Sequence, residues 1–187
     1  MTLADFRELS AAILRQALAP DAVDGERLAA VVHYVIANAA PGQLGHVKLN
    51  RILWHADLEH YRWHATTLTG LRYYARTQQG PMSQDISRAV GGLVREGKVA
   101  ERTVPVTDYT RREMVSLEPP DTSLLTAAQI GILERMIKLI APLTARQLSR
   151  MTRDDPLWSE LENNEVMAVA TGSIVTPAPG QAGRSFF

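Results

Sequence analysis

Lys48-Leu49-Asn50-Arg51-Ile52-Leu53-Trp54-His55-Ala56-Asp57-Leu58-Glu59-His60 sets one aspartate in a mostly apolar run, and Thr69-Gly70, Tyr73 and Gly80-Pro81 follow it at fixed distances. Projected at about 100° per residue, the run reads as a helix with two apolar faces. One face carries Leu49, Ile52, Leu53, Ala56 and Trp63; the other carries Val47, Trp54, Leu58 and Tyr61. A broad polar strip of Lys48, Arg51, His55, Glu59 and Arg62 separates them on one side and reads as a solvated face. The narrow strip opposite holds only Asn50, Asp57 and His64. A helix apolar on two sides lies between two neighbours, so this one is expected at the centre of the fold. Asp57 then sits close to the core and needs hydrogen-bond donors, which the connection 66–71 is placed to supply.

Other elements arrange themselves around this helix. Residues 3–18 form an amphipathic pattern through Leu3, Phe6, Ile13 and Leu14. A second helix starts near Asp24, runs through Leu28, Val31, Val32, Val35 and Ile36, and stops at Pro41-Gly42. The central helix covers 47–65. After it, 71–77 alternates as a short strand, Gly80-Pro81 turns, and Ser83 caps a helix carrying Ile86, Val90 and Leu93 that ends at Gly97. Residues 99–106 and 113–117 read as a hairpin around Asp108. Thr126 with Gln129, and Thr144 with Gln147, spell two capping boxes, and Asp155-Pro156 opens a brief helical turn with Trp158 and Leu161. From Thr171 the composition shifts to Gly, Pro, Ala and Ser, which predicts a flexible tail with no core of its own. The expected class is mainly α: a single-domain helical bundle with a small antiparallel sheet or hairpin. A helical extension is expected over 1–26, the domain proper over 27–170 and the tail over 171–187.

Bulk properties narrow the function. The 187 residues, 45% of them apolar, suffice for one real core. No apolar run approaches the ~20 residues of a membrane span, and the acidic start lacks signal-peptide character, so a cytoplasmic protein is expected. The absence of cysteine excludes disulfides and thiolate metal sites. Twenty basic residues balance twenty acidic ones. The eleven Lys and Arg against seven Asp and Glu over 48–113 make only a mild excess, which does not argue for nucleic-acid binding.

Two arrangements invite a chemical reading. Asp57 lies three residues before His60 and His64 four after it, steps that metal ligands use. The His-Glu-x-x-His pattern is missing, however, and His60 projects toward the apolar Leu53 and Trp63 face. A buried, hydrogen-bonded histidine is therefore expected, with no metal and no cofactor. No Gly-x-Ser-x-Gly elbow or phosphate loop accompanies a base, so no enzymatic activity is expected. Residues 83–117, with Arg102, Arg111 and Arg112, run like the end of a winged helix. A hairpin that covers a helical core, with its arginines solvated, is the favoured reading, and DNA contact the weaker one.

Taken in order and spacing, Lys48-Leu49, Ile52 to Asp57, His60, Thr69-Gly70, Tyr73, Gly80-Pro81, Leu93 and Glu96-Gly97-Lys98 resemble the Panacea domain of the SocA-like antitoxins, over roughly residues 28–158. Departures are Trp54-His55 for the family's aromatic pair, Leu58 for its Phe, and Arg153 where a His often precedes Pro-x-Trp, here Pro156-Leu157-Trp158. The resemblance implies an antitoxin of a bacterial or phage-borne toxin-antitoxin system. Such a protein neutralises an adjacently encoded cognate toxin by direct protein binding, or hands it as an adaptor to a bacterial protease. Lys48, Trp54, Asp57, His60, Thr69, Gly70, Tyr73, Gly80, Pro81 and Trp158 are then the positions that hold the shared fold or meet the partner. Trp54, Tyr61, Trp63, Tyr73, Tyr74 and Trp158 are candidate aromatic anchors.

Overall fold

The computed structural model describes residues 23–106 and 109–179; the helix expected over 3–18 lies outside the described residues. Helix α1 (Gly25–Asn38) starts where the Asp24 side chain accepts from the N–H groups of Glu26 and Arg27, and it buries Leu28, Val31, Val32, Val35 and Ile36 at helical spacing. Helix α2 (His46–His64) is the long apolar run, and it ends on Ala65 in the left-handed region. Every residue of α2 from Leu49 to Leu58 is buried. A helix enclosed on all sides is the centre of its fold, and this one matches the expectation drawn from its two apolar faces.

Strand β1 (Tyr73–Thr77) pairs antiparallel with β2 (Gly80–Met82) through the tight Gln78-Gln79 turn. Helix α3 (Gln84–Arg95) follows, capped by Ser83 and closed by Gly97 at φ 73°. Strands β3 (Val99–Val106) and β4 (Tyr109–Ser116) form a separate hairpin. Both capping boxes are present, heading α4 (Ala127–Ile140) and α5 (Ala145–Arg153), and Asp155 caps α6 (Pro156–Glu160). The chain then returns as β5 (Val166–Ala168), which adds to β1 on the side away from β2, and as α7 (Val169–Val175). Seven helices thus make up most of the described residues, so the mainly α class holds in that sense. The strands form two small antiparallel sheets, and the expected bundle is better described as helices and sheets gathered around α2. Among the described residues no helix is long and apolar enough to cross a membrane.

Three expectations need correction. The polar strip of α2 is solvated only in part: Arg51 and His55 are buried, Lys48 is half-buried with Nζ donating to Ala141 O at 2.5 Å, and Arg62, although exposed, donates to Ser173 O and Thr176 O. The C-terminal third lies over this strip, and its carbonyl oxygens take the place of water. Nor does a tail begin at Thr171. Residues 169–175 form α7, which buries Thr171, Gly172 and Ser173. Small and polar side chains there allow close approach to α2, so a composition that looked core-poor belongs to a tight contact. Finally, Trp63, expected on an apolar face, is 78% exposed, because α2 outruns its neighbours in its last turn.

Candidate functional site

Asp57 is fully enclosed, and its carboxylate ties together three segments. Thr69 donates twice, from its N–H to Oδ1 at 2.8 Å and from its hydroxyl to Oδ2 at 2.6 Å. The Tyr74 hydroxyl of β1 also donates to Oδ2, at 2.7 Å. The local sequence makes this geometry. Ala65 in the left-handed region ends α2, Gly70 at φ 85° turns the chain back, and Leu71 N–H donates to Thr69 Oγ1 at 3.0 Å to fix that side chain. The donor expected from the connection 66–71 is therefore Thr69. Burial pushes the Asp57 carboxyl up to about 6, while the Thr69 and Tyr74 donors pull it down; burial and the Asp57 charge together raise the Tyr74 phenol.

His60 stands beside this knot without joining it. It is buried, with Nδ1 2.7 Å from Thr66 O and its ring 4.5 Å from that of His64. Asp57, His60 and His64 do not converge on a common point, and among the described residues no group of three His, Asp or Glu side chains is placed to hold a metal ion. Trp54 packs edge-on against Tyr74 at 5.1 Å. Both rings are buried, so neither serves as a surface anchor.

The remaining family-pattern residues fall into two further places. Gly80, at φ 118°, leaves room for the Arg51 guanidinium, which donates to Gln79 O at 2.6 Å and Leu148 O at 3.1 Å; a Cβ at Gly80 would collide with it. Pro81 is buried opposite Arg76. On the small sheet, the Trp158 indole N–H donates to Thr77 O at 3.0 Å, and the Arg76 guanidinium stacks 3.8 Å from a Trp158 ring centroid. Tyr73, also on β1, is 39% exposed. The structure thus ties Thr69 and Tyr74 to Asp57 and packs Trp54 on Tyr74; Gly80 with Pro81, and Trp158, stand in two buttresses, and Lys48 lies apart on Ala141 O.

Sequence reading missed Arg51, His55, Asp155 and Gly172 as organising residues. Asp155 had a visible signal, the Asp-Pro start of α6, and it also accepts from the Thr176 hydroxyl at 3.0 Å. The others required knowing which part of the chain returns to α2. In the hairpin, the buried Glu113 carboxylate pairs with Arg102 at 2.5 Å and Arg111 at 3.3 Å, so two of the three arginines offered for DNA contact share one counter-charge.

Two buried groups oppose each other in pH. Burial, with Arg51 and Arg62 nearby, pushes the His55 ring down to about 3. Its contribution to stability is thus present above its ordinary 6.5 and is lost as the pH falls toward 3. Asp57, raised above its ordinary 3.8, contributes stability that is fully present below 3.8 and is lost as the pH rises through about 6. Each slope is at most about 1.4 kcal/mol per pH unit, so the two nearly cancel over their shared window. Replacing His55 by phenylalanine removes one of them. On acidification from about pH 6 to pH 4 the denaturant midpoint of that variant should then gain on that of the parent. A midpoint difference that stays constant with pH would refute the assignment.

Residues 49–159, more than half of the chain, match the family model described as antitoxin SocA-like, Panacea domain. The match begins on the buried face of α2 and ends just after Trp158, so it contains the Asp57 knot and both buttresses. No curated protein and no solved structure matches the chain. A central helix whose aspartate is tied to the following Thr-Gly turn, within a segment that fits this family throughout, places the protein in the SocA-like antitoxin family as a bearer of its Panacea domain.

Proposed function

We propose that the protein is a cytoplasmic antitoxin that neutralises a cognate toxin by direct binding and catalyses no reaction of its own. The observation that carries this is the family match over 49–159. The chemistry of the site supports it. Both Asp57 oxygens are occupied by Thr69 and Tyr74 in a buried setting, so the knot is a brace and not a reactive centre. The residues left at the surface suit contact: Trp63, Tyr73 and Ile174 are exposed apolar side chains of the kind that anchor interfaces.

The test is expression of the adjacent open reading frame. Its product should arrest growth, and co-expression of this chain should restore it by at least an order of magnitude in colony count. Failure to restore growth, with the chain shown to be folded by circular dichroism, would overturn the reading. The toxin's half-life separates two forms of neutralisation: an unchanged half-life on rescue fits occlusion, and a shortened one fits delivery to a bacterial protease. A gel shift with upstream DNA addresses the remaining alternative, a winged-helix regulator, through salt-dependent binding.

A further inference from the structure

A groove of about 670 Å³ runs between α1 and α3, with Asp121 and Leu124 beside it. Helical spacing puts Glu26, Ala29, Ala30 and His33 on one face of α1, and these four line it. Asp85, Ala89, Gly92 and Glu96 form the matching row on α3. The middle of each row is small and half-buried, and the charged residues stand at the ends. Among the described residues, a Cβ added at Gly92 would meet only the Arg95 guanidinium, at 3.9 Å. Leu124 on the wall is 45% exposed. The polar groups around the groove already have partners: Arg88 pairs with Asp85 at 2.7 Å, Lys98 with Glu96 at 2.8 Å, and His33 Nε2 lies 2.9 Å from Ser116 Oγ. What the middle of the groove offers is apolar surface with room above it.

The chain supplies an occupant. Val23, where the described residues begin, itself lines the groove, and 22 residues precede it. Over 3–18 they carry the amphipathic pattern of Leu3, Phe6, Ile13 and Leu14, stopped at Ala19-Pro20. Only residues 19–24 separate that pattern from α1, and a connection so short makes two helices antiparallel neighbours. The lengths agree: Asp85 to Glu96, and Phe6 to Ala17, each span about 16 Å of helix. The charges agree too. The rim holds four carboxylates, on Glu26, Asp85, Glu96 and Asp121, against Arg88 and Lys98. Asp5 and Glu8 project off the apolar face of the segment, while Arg7 stands at its edge. We propose that residues 3–18 lie as a helix in this groove, antiparallel to α1, with their apolar face on Ala29, Ala89, Gly92 and Leu124. The proposal is independent of the antitoxin reading.

The sequence has no cysteine, so one introduced pair of thiols reports on one contact. Ser10→Cys lies on the apolar face of the segment and Ala89→Cys in the groove. In dilute solution of the full chain, a short bismaleimide should join them within one molecule, seen as faster migration in a denaturing gel. Glu8→Cys, on the opposite face, should be joined to Ala89→Cys roughly tenfold less efficiently. Circular dichroism checks that both variants are folded. Independently, Phe6→Ala should lower the melting midpoint by about 4–8 °C, as uncovering one side of the groove implies, and Glu8→Ala should leave it in place. Equal joining of the two pairs, no joining, or an unmoved midpoint for Phe6→Ala would overturn the proposal. Links formed only between molecules, seen at twice the mass, would overturn it too and give the groove to a second copy.

Discussion

Replacing Asp57 by alanine should lower the unfolding free energy by about 3–5 kcal/mol, a large share of what a domain of this size possesses. The loss comes from the donors left behind. Thr69 N–H, Thr69 Oγ1 and Tyr74 OH all point at one carboxylate in a region closed to water. The two hydroxyls can swing toward other acceptors, but the backbone N–H cannot, and a buried unmet donor costs about 1–3 kcal/mol. Asparagine tests the argument more finely. It keeps an acceptor for the Thr69 N–H, and its NH₂ can donate to hydroxyls that turn to receive it, so Asp57→Asn should lose less than half as much. Urea denaturation of the three proteins decides the matter. A loss below about 1 kcal/mol for Asp57→Ala would mean that water takes over the role of the carboxylate.

Gly172→Val should be comparably damaging, although no polar group is lost. An added Cβ would lie 2.7 Å from two ring atoms of Trp54 and 2.8 Å from Leu58 Cδ2, and all three belong to fully buried side chains. Even Gly172→Ala, which gains about 1 kcal/mol of helix propensity, should be destabilising, because overpacking costs about 1–3 kcal/mol. Valine should reach the top of that range or exceed it. Trp54 is the specific obstacle, and its indole N–H is buried without a partner. Combining Gly172→Ala with Trp54→Phe should therefore recover about 1–2 kcal/mol relative to the sum of the single changes. Thermal melts of the four members of that cycle give the coupling. Simple additivity would show that α7 shifts bodily to make room.

Periodicity and capping made much of the fold legible. Helix α2, both capping boxes, Asp24, Ser83 and the left-handed Gly97 are local features, and the structure places them as read. The link from Asp57 to the turn after α2 was legible too, since an aspartate on a buried helix has few donors within reach. What stayed hidden depended on distant residues. Arg51 and His55 looked solvated because nothing local says that residues 141–176 return over them. Strand β5 is three residues long, too short to show alternation. The start of β4 at Tyr109 was read four residues late, because Thr110, Arg111 and Arg112 are polar on both faces of an exposed hairpin. The small residues of α7 resembled a tail for the reason that suits them to their place: there is no room for larger ones.

The basic side chains of α2 have a consequence for how this molecule comes into being. Lys48, Arg51 and Arg62 are seated on carbonyl oxygens of residues 141, 148, 173 and 176, far along the chain. During synthesis the central helix emerges early, yet the groups that seat its three cations leave the ribosome roughly a hundred residues later. A copy cut short before residue 141 lacks the acceptors for all of these contacts, and so leaves the basic side chains of its central helix unseated.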